Sequence, residues 1–296
     1  MPRKAALTTS VSALERGFAV LDCFAQAAGP LGNGEVAAAT GLPKPTVYRL
    51  ISTLVGLGQL KPVPNADRYE LAAGVVHLAQ AFLGGLDVRR HARPHLLAVA
   101  EACKASAFLG VRDGDQMLVV EAGRSRSAVA VLGSDIGTRM ALGTSALGRA
   151  WLAGLDEPAR ATVLAELRQR RAPGSGPALD GAIRDAQRLG HALSLGEWHP
   201  DIHAVAVPVR TPSGEVVSLN CGGPAFVLTH DRLRETVVPA LTEAARRLAA
   251  DIGGLAGLAL TQPRPRRDPA EAGPTPASPP DTPHHKTPRR AKETTR

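Results

Sequence analysis

Between Gly41 and Gly58 the chain carries an apolar stripe backed by a polar face without acids, and few folds call for both features in so short a segment. Val47, Leu50, Ile51, Leu54 and Val55 recur at i, i+3, i+4, i+7 and i+8, the spacing of one buried helical face. Pro45 suits the first turn of such a helix, where its missing N–H costs nothing. The opposite face presents Pro45, Arg49 and Ser52, edged by Thr46, Tyr48 and Thr53, with Lys44 at the N-terminal end. No acid occurs between Lys44 and Lys61. An ordinary solvated helix face mixes acids with bases. Short hydroxyls, one arginine, one lysine and one tyrosine are instead suited to phosphate contacts and base-edge hydrogen bonds in a major groove. The positive end of the helix adds to the attraction for phosphate.

The flanking sequence supplies the rest of a DNA-binding unit. Leu14, Phe18, Leu21 and Ala25 recur at helical spacing, with Ser12 as expected cap, Glu15 as its capping-box partner and Gly29-Pro30 as stop. A short helix is expected over 34–40. Residues 59–71 alternate around Pro64-Asn65-Ala66-Asp67 and predict a hairpin, which places Lys61 and Arg68 beside the third helix. Three short helices and a hairpin make a winged helix-turn-helix over 12–71. A linker helix follows within 72–87, closed by Gly84-Gly85, and another helix runs from Val88 to Ala105.

Beyond 105 the pattern changes to short strands. Those at 107–112 and 116–122 flank the turn Asp113-Gly114-Asp115, and a third is expected at 128–133. Helices are expected at 144–155, 157–171 and 179–189. Strands return at 191–195, 204–210 and 216–221. A last helix runs from a Thr229 cap to Ile252, with Leu233, Val237, Leu241, Ala244 and Leu248 on one face. The fold class is α+β, with an antiparallel sheet and packed helices over 88–254. Aromatic residues make up only 3%, so alanine, leucine and valine must fill the core. No apolar run approaches the length of a membrane span, and MPRKAALTTS does not read as a signal peptide. Cys23, Cys103 and Cys221 are too far apart for a zinc knuckle and suggest buried free thiols in a reducing compartment.

Three stretches, SALERGFAVLDCF (12–24), GEVAAATGLPKPTVYRLISTL (34–54) and GQLKP with DRYELAAGV (58–75), resemble the DNA-binding domain of IclR (isocitrate lyase regulator) transcription factors. Three more, GTRMALGTSALGRAWLAGL (137–155), HPDIHAVAVPV (199–209) and SLNCGGPAFVLT (218–229), resemble that family's GAF-like effector domain. The two sets occur in the family's order and together cover about 12–253. Where the family often has a serine capping the second helix, this chain has Gly32. Gly143 and Asp201 also depart from the usual pattern.

The resemblance implies a cytoplasmic homodimeric or homotetrameric regulator that binds a double-stranded DNA operator and needs no cofactor. It implies an effector pocket between the sheet and the loops at 138–146 and 196–203. The expected lining is Arg139, Met140, Gly143, Thr144, Ser145, Ala146, Glu197, Trp198, Asp201, Ile202, Asn220 and Cys221. Thr144 and Ser145 opening a helix suit an anion, and with Arg139 upstream a carboxylate, aromatic acids included, is the expected effector. One alternative is a DNA-binding regulator without a ligand. Another is an enzyme with an appended DNA-binding module, built on Cys221, His203 and Asp201. Cys221 ends an apolar strand with no activating partner visible, so no catalytic residue is assigned. His199 and His203 are four apart, but Pro200 between them argues for a loop and against a metal site.

Residues 1–11 and 255–296 lack any pattern and are expected to be disordered. The stretch 262–296 holds nine prolines, no aromatic residue, and no valine, isoleucine or leucine. Its eight basic and four acidic side chains contribute +4 to the chain's net +8. Flexible basic segments bind phosphate without reading sequence, each phosphate steepening the salt dependence by about 0.9 in log units. A chain ending at Thr261 is therefore expected to show a shallower salt slope of DNA affinity with unchanged sequence preference. Identical slopes would mean that these charges never meet DNA.

Overall fold

The computed structural model describes residues 10–126 and 134–257. The strand expected at 128–133, residues 1–9 and the segment 258–296 lie outside them. The N-terminal unit is built from α1 (Ser12–Gln26), α2 (Asn33–Thr40), α3 (Lys44–Gly56), β1 (Leu60–Pro62) and β2 (Tyr69–Leu71). Val47, Ile51 and Leu54 of α3 are buried against Val20 and Phe24 of α1 and Val36 of α2, with Leu50 and Val55 half-buried at the edge. The stripe read from the sequence is thus the face that holds the three helices together. β1 and β2 pair antiparallel, and Leu31 joins Tyr69 as a third, bridging strand.

Helix starts follow local chemistry more than motif. α1 begins at Ser12 itself, so Val11 occupies the cap and Ser12 makes no capping bond; the expected capping box is absent. α2 has the glycine cap expected at Gly32, and the Glu35 carboxylate accepts the Gly32 N–H at 2.8 Å.

After α4 (Gly74–Gly84) and α5 (Asp87–Cys103) comes the sheet domain. Its strands are β3 (Ser106–Asp113), β4 (Gln116–Arg124), β5 (Arg139–Ala141), β6 (Ala192–Leu195), β7 (Ile202–Arg210) and β8 (Val216–Pro224). They run β5-β4-β3-β8-β7-β6, all neighbours antiparallel. A short β9 (Leu255–Ala256) also pairs with β7 at Val209 and Arg210. Ordered structure therefore continues past 254, where the sequence suggested a tail, because ladder hydrogen bonds to β7 capture two more residues. β5 was not expected, since three residues are too few for alternation to show.

Helices cover both faces of the sheet. α5 and the long C-terminal helix lie on one face. The latter starts as α9 (His230–Arg232), passes through a π turn at Leu233–Val237 and continues as α10 (Val238–Ile252). α6 (Ala146–Gly154), α7 (Glu157–Gln169) and α8 (Ala178–Leu189) lie on the other. Successive strand residues point to opposite faces. In β8, Leu219 and Cys221 enter the α5–α10 core, while Asn220 and Gly222 face the α6 side. A β-bulge in β4 opposite Leu109 and Gly110 breaks this alternation and turns Glu121 toward α5. There its carboxylate, almost wholly buried, meets Arg89 at 2.8 Å and Arg93 at 3.6 Å.

Leu219 is fully buried at the centre of the α5–α10 core. Leu219→Ala is expected to lower unfolding free energy by about 2–5 kcal/mol in urea denaturation. Leu57→Ala, at a position 66% exposed, is expected to stay within about 0.5 kcal/mol. Equal effects at the two positions would contradict the packing described.

Candidate functional sites

The polar face of α3 stands open to solvent. Lys44, Pro45, Tyr48, Arg49, Ser52 and Thr53 are exposed and Thr46 is half-buried at the helix edge. Neither Lys44 nor Arg49 has an ion-pair or hydrogen-bond partner among the described residues. The hairpin's cations differ. Lys61 pairs with Glu70 at 3.0 Å. Arg68 donates to the Pro30 carbonyl at 2.5 Å and to Glu35 at 3.1 Å, so it ties the hairpin to the start of α2. The backbone N–H of Gly32 and the Arg68 guanidinium together hold the Glu35 carboxyl below its usual value. Arg68, expected as a DNA contact, is thus engaged inside the domain, because Glu35 lies within reach only once the hairpin folds back.

The second candidate is a cleft of about 360 Å³, open mouth included, on the α6 face of the sheet. Phe108 of β3 and Asn220 and Gly222 of β8 form its floor, with Met140, Ser145 and Ala146 on one wall and Ser194, Trp198, Ile202 and Ala204 on another. Ser134 closes an end. Six of the twelve residues expected at an effector site meet here: Met140, Ser145, Ala146, Trp198, Ile202 and Asn220.

The other six lie elsewhere, each for a physical reason. Arg139 and Cys221 are strand neighbours of Met140 and Asn220, so alternation turns them away. Arg139 pairs with Asp113 at 2.8 Å in solvent, and Cys221 is buried beside Cys103 in the opposite core. That placement also separates Cys221 from the cleft, so the Cys–His–Asp arrangement does not assemble there. Gly143 faces the 173–174 turn, where a Cβ would come within 2.6 Å of the Gly174 backbone, and the Thr144 methyl packs on the same glycine. Asp201 is exposed, and its carbonyl accepts the Ala225 N–H at 2.8 Å. Glu197 pairs with Arg149 at 2.7 Å instead of lining the cleft. His203 bonds the Leu228 carbonyl through Nδ1 and stacks edge-on against His230 at 5.4 Å.

The chemistry of the cleft follows from which polar groups are already committed. Ser145 Oγ accepts the Gly148 N–H as the α6 cap and donates to the Ala141 carbonyl. Ser194 Oγ donates to the Thr144 carbonyl at 2.9 Å. By contrast, the Ser134 hydroxyl is buried with no partner, and the Asn220 amide, 4% exposed, has none among the described residues. A buried polar group left unpaired costs about 1–3 kcal/mol, and Ser134 Oγ shares that state with Ser218 Oγ outside the cleft. The first N–H groups of α6, at Ala146 and Leu147, have no partner within the helix, and Ala146 lines the same wall. No lining residue is ionisable. Phe108, Ser134, Ser194, Ala204 and Gly222 were not expected from sequence; the parity of Asn220 across β3 and β7 points to Phe108 and Ala204 once the register is known.

A three-helix helix-turn-helix unit followed by a helix-covered sheet domain with a cleft is the architecture of a one-component DNA-binding regulator. The family models agree: the IclR helix-turn-helix domain matches residues 13–64 and the bacterial transcriptional regulator IclR C-terminal domain matches 80–250. The chain belongs to the IclR family of DNA-binding transcriptional regulators. It is 31% identical to the HTH-type transcriptional regulator TsaQ1/TsaQ2 of Comamonas testosteroni, over 83% of this chain and 90% of that protein. An IclR family regulator from Brucella abortus superposes with a TM-score of 0.71 at 37% identity, over 82% of this chain and 93% of that one. An IclR homologue from Microbacterium hydrocarbonoxydans, solved with 4-hydroxybenzoate, shares the fold with a TM-score of 0.65 at 24% identity, over 81% and 99%.

Proposed function

We propose that this chain reads a double-stranded operator with α3 and that a small organic acid in the cleft modulates its operator affinity. The observation that carries the DNA assignment is the contrast among basic side chains. Lys44 and Arg49 on α3 are exposed and unpartnered, whereas Lys61 and Arg68 are neutralised within the domain. Arg49, central on that face, is assigned the base contact, with Lys44, Thr46, Tyr48, Ser52 and Thr53 serving phosphates and neighbouring base edges. Such work places the protein in the bacterial cytoplasm.

The effector reading is supported by the unpartnered Ser134 and Asn220 and by the α6 N-terminus. With no cation in the lining, a carboxylate would rest on the Ala146 and Leu147 N–H groups and the helix dipole instead of on an arginine. The apolar walls suit a flat ring, and an aromatic acid of the 4-hydroxybenzoate type fits both features. An enzyme would need a base beside one of the cleft serines, and among the described residues no lining side chain is ionisable.

Assembly rests on α1 and α4. Leu14 and Phe18 on α1, and Val76, Leu78 and Phe82 on α4, are exposed, and α4 has no buried residue and no Asp, Glu, Lys or Arg. An uncharged apolar helix of this kind needs a cover, and a second copy of the chain supplies one while presenting a second α3 to DNA.

Operator footprinting tests both proposals. The wild type is expected to protect two half-sites about one helical turn or a multiple apart. Arg49→Ala should lose about 1–3 kcal/mol of specific affinity without a change in melting temperature. Arg68→Ala should instead leave base preference intact and change the melting temperature only slightly. Unchanged specificity in Arg49→Ala, or protection of a single half-site by a monomer, would defeat the assignment.

A further inference from the structure

One nearly buried guanidinium bonds three segments that carry cleft-lining residues. Arg149, on the second turn of α6, is only 11% exposed. Its Nε donates to the Gly143 carbonyl at 3.1 Å, in the turn that leads to Ser145. Its Nη1 donates to the Leu193 carbonyl at 2.8 Å, beside Ser194 on β6. The same nitrogen donates to Glu197 Oε1 at 2.7 Å, next to Trp198. The turn before α6, the β6 strand and the loop that follows it, each bearing a lining residue, therefore share one cation.

The segment carrying Trp198 is built like a strap. It leaves the sheet at Gly196 and returns at Ile202, and the Gly196 N–H donates to the Ile202 carbonyl at 3.1 Å, closing its base. Gly196 has φ +101°, a conformation L side chains rarely adopt, so the turn into the strap depends on glycine. Between these points, the side-chain tie to α6 is Glu197 to Arg149. The other Glu197 oxygen accepts the Leu195 N–H, which orients the carboxylate toward the guanidinium. Burial raises the Glu197 carboxyl's affinity for a proton, but the Arg149 and Leu195 bonds outweigh it and hold the group below its usual value. The carboxylate therefore stays charged, and the tie intact, throughout the neutral range. At the far side of the strap, Ala225 N–H bonds the Asp201 carbonyl, so that end is anchored by backbone alone.

We propose that Arg149 and Glu197 form a latch that holds the 196–201 strap, with Trp198 on its inner side, closed over the cleft, so that ligand enters and leaves through opening of this strap. The proposal rests on the cleft being the effector site. Arg149 is then a positioning residue, because it sets the spacing of the Gly143, Ser194 and Trp198 walls without itself lining the cleft. Glu197, read from sequence as a ligand contact, acts on the ligand only through the strap.

The first test needs no ligand. Trp151 and Trp198 are the chain's two tryptophans, and Trp151 is buried with its indole N–H bonded to the Val216 carbonyl at 2.8 Å. Acrylamide quenching of the full chain therefore reports strap opening through Trp198. Glu197→Ala changes a side chain at the surface and should raise the quenching constant by a few fold. Arg149→Lys, which keeps the charge and loses the fork of donors, should give an intermediate value. The increase should vanish in a Trp198→Phe background.

The second test is stopped-flow binding of 4-hydroxybenzoate. Loss of the latch should raise association and dissociation rate constants together, each by about tenfold, the equivalent of one charge-assisted hydrogen bond at the low end of its range. A residue that merely props up the pocket would speed dissociation and leave association unchanged or slower. Wild-type quenching in Glu197→Ala overturns the latch, and so does an association rate that fails to rise. If quenching rises but 4-hydroxybenzoate does not bind, the latch stands and the choice of aromatic acid fails.

Discussion

The sheet domain depends on one constraint: in a seven-stranded sheet covered on both faces an unbonded polar atom is costly, and among the described residues of this domain Ser134 Oγ in the cleft and Ser218 Oγ outside it bear that cost. On the α5–α10 face the rule is met with valine, leucine, alanine and two cysteines. Glu121 is the exception there, admitted by a bulge and met by two arginines. On the α6 face the packing parts around Phe108 and Asn220, and the walls beside them end in hydroxyls. The same alternation that seals one face therefore determines which residues can meet a ligand on the other. It also explains why a strand neighbour, one residue away, has no access to the cleft at all.

The DNA-binding unit solves a different problem with a similar economy. The apolar stripe of α3 holds it to α1 and α2, and its cations Lys44 and Arg49 stand exposed on the opposite face. Of the hairpin's cations, Lys61 pairs with Glu70 across the hairpin, and Arg68 fastens the hairpin to the start of α2 through Glu35. Surface pairs of this kind contribute little to stability. Their effect is to fix geometry, and the two cations left unneutralised gain a defined position relative to one another.

How much of this was legible in the sequence follows from the range of each signal. The α3 stripe was readable because Val47 to Val55 lie within one helix bounded by glycines, and a period of 3.6 needs no knowledge of the partner. The strands of the sheet domain were readable as elements, but not in their facing. Runs such as His203–Val209 and Ser218–Gly222 are apolar or small on both sides, so nothing in them says which parity sees the cleft. Hence Asn220 and Cys221, like Arg139 and Met140, were grouped although they face opposite ways. Gly143 was grouped with the lining because its true neighbour, Gly174, is brought beside it only by the fold. Arg149 could not be picked out for the same reason: its acceptors at Gly143, Leu193 and Glu197 converge only after β6 is placed beside β7.

Sensing and DNA reading reside in one chain, and their coupling is the central claim about function. A ligand can shift operator affinity only if it favours one arrangement of the protein over another, and such couplings are typically about 1–3 kcal/mol, or about 5- to 150-fold. The direct measurement is operator affinity of the full chain, at fixed salt, without and with a saturating aromatic acid whose binding has been established by calorimetry. The account predicts a shift of at least about fivefold, abolished when Asn220 is replaced by leucine and the cleft no longer takes the ligand. Calorimetric binding in the cleft with operator affinity unchanged would contradict it.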